Sequence, residues 1–211
     1  PGNLWQLAIG DFDGDGTDDI AGIDQEGEIY YTLDLSTWHN LPGLLRHLIS
    51  GDLNGDGKDD LAGLNAGGSI YYTLNFSIWQ RIAGELQCLN AGDFNGDGFS
   101  DLVGISKSAH IYYTCDLMSW LTVPGLAFDL VTGDFDNDGL DDIAGKSFHG
   151  HMYYTTDTNT WVQIPGELVR LVSGDLDSIG VEDLAGINAN GEVYFTTNFQ
   201  NWMQIPGKLA P

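Results

Sequence analysis

The sequence predicts an all-β fold built from tandem copies of one unit, and three observations support this. A Gly-Asp pair, a tryptophan, and a Pro-Gly or Ala-Gly pair each return with a constant step of 41 residues, without insertion. Repetition with a period between about 20 and 50 residues is typical of propellers and solenoids. The Gly-Asp pairs are Gly10-Asp11, Gly51-Asp52, Gly92-Asp93, Gly133-Asp134 and Gly174-Asp175.

Each unit reads as four short strands. In the first copy, residues 4–9 alternate as a strand and residues 19–23 follow as a second, after an acidic, glycine-rich loop. A tight turn at residues 24–27 precedes a third strand over residues 28–33. Residues 37–41 are the fourth strand, which we expect to end at Pro42-Gly43.

Four short strands without a helix make one antiparallel propeller blade. We therefore expect a single domain over residues 1–211, folded as a five-bladed β-propeller. The copies span residues 1–41, 42–82, 83–123, 124–164 and 165–205, and residues 206–211 begin a further repeat. A solenoid of stacked sheets is the alternative architecture.

The composition restricts the partners. With 31 acidic and 7 basic residues, the formal net charge of −24 opposes contact with a phosphate backbone. No apolar stretch approaches the roughly 18 residues of a membrane span. We expect neither nucleic acid binding nor membrane insertion, and the oligomeric state stays open.

The two cysteines are expected to be unbonded. Cys88 lies on the first strand of its copy and Cys115 follows the third. In a meander the second strand separates them by about twice the strand spacing of roughly 4.8 Å. That exceeds the distance of about 7 Å between α-carbons that a disulfide allows.

The acidic loop of the first copy has the character of a calcium site. Asp11, Asp13, Asp15 and Asp19 place side-chain oxygens at positions 1, 3, 5 and 9, and glycine follows position 5. Calcium prefers six to eight oxygen ligands, and glycine permits the sharp turn that lets alternate side chains converge. The backbone carbonyl of Thr17, at position 7, would complete the shell. The loop closes earlier than an EF-hand and lies between strands, so it is not an EF-hand.

Four loops are complete and one is degraded. In the fifth copy, Asp175, Asp177 and Asp183 are kept but Ile179 replaces the central ligand, so we expect an empty or weak site. About four calcium ions are therefore predicted. The other complete loops comprise Asp52, Asn54, Asp56, Lys58 and Asp60; Asp93, Asn95, Asp97, Phe99 and Asp101; and Asp134, Asp136, Asp138, Leu140 and Asp142, with position 7 contributing its carbonyl.

The motif Asp-x-[Asp/Asn]-x-Asp-Gly-x-x-Asp between strands resembles the FG-GAP and VCBS repeats, the calcium-bearing propeller blades of integrin α chains and several lectins. The remainder of each unit is similar to the tectonin repeat, as in Trp161-Val162-Gln163-Ile164-Pro165-Gly166-Glu167-Leu168 and Gly186-Ile187-Asn188-Ala189-Asn190-Gly191-Glu192-Val193-Tyr194. Together these resemblances cover the whole chain and imply an extracellular or secreted, calcium-stabilised propeller lectin.

Repeated aromatic residues favour multivalent glycan binding, because weak contacts gain avidity when several engage one surface. An aromatic face beside a carboxylate or amide suits a sugar ring. We expect the pocket walls to come from Trp38, Trp79, Trp120, Trp161, Trp202, Tyr31, Tyr72, Tyr113 and Tyr154, with polar partners at Asp34, Asn75, Asp116, Asp157 and Asn198.

Two alternatives stay open. The tryptophans and the first tyrosine of each Tyr-Tyr or Tyr-Phe pair also suit packing between blades. An integrin-like module that binds protein on one face is the second function, and it gains support if the variable loops at residues 25–26, 107–108 and 148–149 form one apolar patch. The sequence contains no asymmetric cluster of nucleophile and base, so we expect a protein that is not an enzyme.

Overall fold

The computed structural model describes residues 2–209. It is an all-β, five-bladed β-propeller, and each blade is a four-stranded antiparallel sheet of consecutive strands. Strand pairing is confined to each sheet, as in the blades of a propeller, so the solenoid alternative does not apply. No described residue belongs to a helix long and apolar enough to cross a membrane.

The twenty strands follow one plan in every blade. Blade 1 holds β1 to β4, blade 2 holds β5 to β8, and so on to β17 to β20 in blade 5. The strands are β1 Leu4–Gly10, β2 Asp19–Asp24, β3 Glu28–Thr32, β4 His39–Leu44, β5 His47–Gly51, β6 Asp60–Leu64, β7 Ser69–Thr73, β8 Gln80–Glu85, β9 Cys88–Gly92, β10 Asp101–Ile105, β11 His110–Thr114, β12 Leu121–Leu126, β13 Asp129–Gly133, β14 Asp142–Lys146, β15 His151–Thr155, β16 Val162–Glu167, β17 Arg170–Gly174, β18 Asp183–Ile187, β19 Glu192–Thr196 and β20 Met203–Lys208.

The fourth strand does not end at the Pro-Gly pair, contrary to the prediction. In blade 1, β4 continues through Pro42 and Gly43 to Leu44, which pairs with Glu28 on β3. Glu28 pairs with Leu44 and the next residue, Ile29, pairs with Leu41, so Pro42 and Gly43 form a bulge in β4. A bulge of this kind accommodates proline and a glycine at φ 147° without ending the sheet.

The hydrophobic core is divided into four clusters, and each lies between two neighbouring blades. We call the first strand of each blade its inner strand and the fourth its outer strand. In the first cluster, Leu41 from β4, the outer strand of blade 1, packs with Leu48 from β5, the inner strand of blade 2. Both side chains are at most 5% exposed. The same relation recurs in the other clusters for Ile82 and Leu89, Val123 and Leu130, and Ile164 and Leu171.

Polar contacts repeat at the same four interfaces. The backbone N–H of Asp59 donates to the carbonyl of Asp11 in the preceding blade, over 2.8 Å. Its carboxylate accepts the N–H of Asp11 at 3.0 Å. A β-carbon on Gly10 would lie 2.3 Å from the Asp59 side chain, so glycine is needed for this close approach. The equivalent backbone bonds join Ser100 to Asp52, Asp141 to Asp93, and Glu182 to Asp134.

The cysteine prediction is confirmed. Cys88 on β9 and Cys115, just after β11, lie on opposite sides of β10. Both are free thiols.

Candidate functional site: four pockets between blades

Four equivalent pockets lie between neighbouring blades. Between blades 1 and 2, the pocket is lined by Gly43, Leu45, Asn65, Tyr71 and Trp79, with Leu44 at its side. One wall comes from the end of the outer strand of the first blade, and the other comes from the hairpin, the third strand and the tryptophan of the second. The pocket volumes are about 200, 260, 260 and 220 Å³ in chain order.

The other three pockets use the same repeat positions. A polar hairpin residue, a tyrosine, a tryptophan and a glycine are present in each. They are Ser106, Tyr112, Trp120 and Gly84; Ser147, Tyr153, Trp161 and Gly125; and Asn188, Tyr194, Trp202 and Gly166.

Each tryptophan also joins two blades. The indole N–H of Trp79 donates to the carbonyl of Pro42 at 2.9 Å, and that of Trp120 donates to the carbonyl of Ala83 at 2.8 Å. Trp161 and Trp202 donate in the same way to Pro124 and Pro165. These four tryptophans therefore have both roles that the sequence left open, since one side of the ring lines a pocket while its N–H holds the interface. Trp38, the fifth predicted wall, is not among the lining residues of the four pockets.

The tyrosines are arranged differently from the prediction. In blades 2 to 5 the first tyrosine of each pair lines a pocket, whereas Tyr31, Tyr72, Tyr113 and Tyr154 are not among the lining residues of the four pockets. Tyr31 instead stacks on Phe76 of blade 2, with ring centroids 4.2 Å apart. Successive strand residues point to opposite faces of a sheet, so only one tyrosine of each pair can face the pocket.

The predicted polar partners also lie elsewhere. The Asp34 carboxylate accepts the N–H groups of Ser36 and Thr37 at 2.9 and 2.6 Å, and so caps its own turn. Asp116, Asp157 and Asn198 accept N–H groups in the same manner. Asn75 contacts the acidic loop, since its amide donates to Asp56 at 2.8 Å.

Sequence reasoning missed the polar hairpin residues of the pockets, although a signal for them was present. Asn188 and Tyr194 fall within the quoted tectonin-like string, and Gly166, Glu167 and Leu168 fall within the other. In the pocket between blades 3 and 4, the Ser147 hydroxyl is buried and has no hydrogen-bond partner among the described residues. A buried hydroxyl without a partner costs free energy.

The acidic loops lie at the other end of the strands. In blade 1, Asp11, Asp13 and Asp15 present carboxylate oxygens within 4.8 Å of one another. The loop is shaped by its own backbone, since Gly14 and Gly16 each donate an N–H to Asp11 at 2.8 Å. Convergent carboxylates on a tightly hydrogen-bonded loop are the ligand chemistry that calcium prefers.

The last acidic residue of each loop is buried and accepts a backbone N–H from position 2, as Asp142 does from Phe135 at 2.8 Å. Burial, reinforced by the neighbouring loop carboxylates, raises the pKa of Asp142 to about 7. It likewise raises the pKa of Asp60 and of Asp101 to about 6. The ion pairs among the described residues involve Glu85, Glu167 and Glu192 and none of these carboxylates. The loops therefore fit a divalent cation.

The degraded fifth loop retains part of this arrangement. Asp175, Asp177 and Asp183 bring carboxylate oxygens within 4.8 Å of one another, as in the first and fourth loops. Ile179 is 67% exposed, so it points away from the cluster into solvent. The fifth loop thus keeps the fold of the others and lacks only the central ligand.

The comparisons with known proteins agree with this architecture. Residues 13–134, which are 122 of the 211 residues, match the model of the tectonin domain. The chain therefore belongs to the tectonin family. No significant match was found among curated protein sequences.

Two similar solved structures are crystal structures of BBS1N in complex with ARL6DN, soaked with lead or with mercury. They superpose with TM-scores of 0.68 and 0.69 at 16% and 15% sequence identity. The match covers 96% of this chain and 68% and 69% of those chains. At this identity the likeness shows a shared propeller fold.

Proposed function

We propose that this protein is a multivalent lectin that binds glycans in the four pockets between its blades. The observation that carries the proposal is the recurrence of one set of groups, namely tryptophan, tyrosine, a polar hairpin residue and glycine, at four equivalent interfaces. Membership of the tectonin family supports it. Four weak sites spaced around one ring gain avidity on a surface that presents many copies of a sugar.

The pocket dimensions favour a single sugar residue. Volumes of about 200 to 260 Å³ lie below the range of roughly 300 to 1,000 Å³ that is typical of drug-sized ligands. Aromatic walls contact the apolar C–H face of a sugar, while the amide of Asn65 can pair with its hydroxyl groups.

We further propose that calcium ions hold the acidic loops. Asp11, Asp13, Asp15 and Asp19 would hold an ion in blade 1, as would the equivalent residues of blades 2 to 4. When bound, the ion neutralises the loop carboxylates. The loop precedes β2 and the pocket's hairpin follows it, so about five strand residues, or roughly 17 Å, separate the two sites. Calcium would therefore support sugar binding through stability and would not contact the sugar.

The test is calorimetric titration with N-acetylglucosamine and fucose, after a broad glycan array has identified a ligand. Tyr112→Ala should reduce the number of sugars bound per chain from four to three. Tyr113→Ala is the matched control, because this neighbouring tyrosine packs against Phe94 and is not among the lining residues of the four pockets. The control should lower the melting temperature and leave the number unchanged. An unchanged number in folded Tyr112→Ala would remove this pocket from the proposal.

A protein-binding module is the second candidate. Of the three variable loops, only that of blade 4 is apolar: Phe148 and Phe128 are 73% and 52% exposed, with ring centroids 5.2 Å apart. They border a cavity of about 480 Å³ between blades 4 and 5. By contrast, Lys107 pairs with Glu85. The variable loops therefore do not form one shared patch. A folded protein that binds no glycan on the array would favour this second function.

A further inference from the structure

The gap between the hairpins of neighbouring blades is crossed by different side chains at different interfaces. These side chains come from two repeat positions, the residue just before an inner strand and the second residue of the hairpin turn. Between blades 1 and 2, the guanidinium of Arg46 donates to the carbonyl of Gln25. Between blades 2 and 3, the ammonium of Lys107 donates to the carbonyl of Gly67 and to the carboxylate of Glu85, both at 3.0 Å.

The interface between blades 3 and 4 holds an aromatic pair at these two positions. Phe128 lies just before the inner strand of blade 4 and Phe148 lies in its hairpin, with ring centroids 5.2 Å apart. Between blades 4 and 5 the two positions are taken by Val169 and Ala189, whose side chains are too short to cross the gap. A cavity of about 480 Å³ lies there, with Phe128 and Phe148 among its walls.

This cavity adjoins the sugar pocket proposed between blades 4 and 5. Glu167, Leu168 and Asn188 line both of them. The pocket has a volume of about 220 Å³, so the cavity beside it offers about twice the room. A ligand that fills the pocket can therefore continue into the cavity along the same interface.

The walls of the cavity combine flat apolar surface with polar groups, as the walls of the four pockets do. The rings of Phe128 and Phe148 are exposed and can contact the C–H face of a sugar. His149, Asn190 and Glu167 offer a ring nitrogen, an amide and a carboxylate to its hydroxyl groups. The Glu167 carboxylate and the formal net charge of −24 disfavour an acidic sugar.

We propose that the site between blades 4 and 5 binds a neutral oligosaccharide, with one sugar residue in the pocket of Tyr194 and Trp202 and the following residues in the cavity. This assignment rests on the proposed function, since it gives a larger ligand to one of the four pockets. The other three pockets hold a single sugar residue, because side chains occupy the gaps beside them.

The test is calorimetric titration with N-acetylglucosamine and with its disaccharide, diacetylchitobiose. The monosaccharide should bind four sites of similar affinity. The disaccharide should bind one site roughly tenfold more tightly than the other three, about the factor that one added aromatic contact contributes.

Ala189→Lys should close the cavity, because its ammonium can reach Glu167 and the carbonyl of His149, as Lys107 reaches the equivalent groups at its own interface. Ala189 is exposed, so the variant should fold. Its affinity for the disaccharide at the tight site should fall roughly tenfold, to that of the other three sites. Ala66→Lys is the matched control, at the equivalent hairpin position of blade 2, which is not among the lining residues of the cavity or the pockets. It should keep the tight site.

The cavity also shares Lys146 and Ser147 with the pocket between blades 3 and 4, so a second pair of variants identifies the pocket from which the glycan enters it. Tyr194→Ala should remove the tight site. Tyr153→Ala should remove one weak site and leave the tight site in place. The reverse result would overturn the proposed path of the oligosaccharide.

Two results distinguish the oligosaccharide site from the function of the four pockets. Four monosaccharides bound, together with four equal sites for the disaccharide, would overturn the oligosaccharide site alone and would leave the cavity to a protein partner. A tight site that persists in folded Ala189→Lys would likewise place the second sugar outside the cavity. No binding of either probe, nor of any glycan on the array, would overturn both proposals.

Discussion

Trp79 donates its indole N–H to the backbone carbonyl of Pro42, 37 residues earlier and in the preceding blade, at 2.9 Å. The same ring forms a wall of a pocket. One side chain thus couples the stability of an interface to the shape of a candidate binding site, and changes at these tryptophans affect both.

The two contributions can be separated at Trp120. Trp120→Phe removes the N–H that reaches Ala83 but keeps most of the ring, so it should lower the free energy of unfolding by about 1 kcal/mol. Trp120→Ala also removes apolar packing and should cost more, on the order of 2 to 3 kcal/mol for a half-buried ring. Urea unfolding measures both. Trp5→Phe is the control because Trp5 is 57% exposed. Equal losses in Trp120→Phe and the control would show that the hydrogen bond contributes nothing.

Calcium removal should lower the melting temperature, because an ion that binds only the folded loops stabilises by mass action. The count of ions is a sharper measure. Native mass spectrometry should show about four ions in the parent and one more in Ile179→Asp, which restores the residue type found at this position in the other four copies. Ile179→Leu is the size-matched control without an oxygen ligand. A melting curve that excess EDTA does not change would contradict the calcium assignment.

His47 should make stability depend on pH. Its ring donates from Nε2 to the carbonyl of Leu89 at 2.7 Å, and burial lowers the pKa of the imidazole from 6.5. The unfolded chain therefore takes up a proton as the pH falls through about 6.5, whereas the folded chain does so only at lower pH. Stability from this group is present at higher pH and is lost on acidification.

His47→Gln removes this dependence and retains a donor, since Gln6 occupies the equivalent position and donates to Leu48 at 3.1 Å. The difference in unfolding free energy between parent and variant should change between pH 8 and about pH 5. Carboxylates common to both proteins cancel in this difference.

Cys88 should react slowly with alkylating agents in the folded protein. Burial, and to a smaller extent the nearby Asp129 carboxylate, raises the pKa of its thiol to about 11, so little of the reactive thiolate is present near neutral pH. Iodoacetamide should label it rapidly only after unfolding. Rapid labelling of the native protein would show that β9 opens readily.

The sequence was sufficient for the blades because their signals are local and repeated five times. It predicted β1, β2 and β3 each to within one residue. It did not predict the bulge at Pro42 and Gly43, because Pro-Gly usually marks a turn and only pairing with Glu28 shows that the strand continues. The choice between Tyr30 and Tyr31 depends on which face of the sheet meets the next blade, and neither spacing nor residue type determines that.

The carbonyl acceptors of the tryptophans have a consequence for how such chains can be rearranged. Ala83 stands where three other copies have proline, yet Trp120 is held in the same way, because every residue type supplies a main-chain oxygen. The hydrogen bond that joins two blades therefore does not depend on which blade precedes the tryptophan. A gene with its second and third repeats exchanged would still supply a backbone carbonyl to each indole N–H. Repeats of this kind can therefore be shuffled, duplicated or lost without a new contact between blades having to evolve.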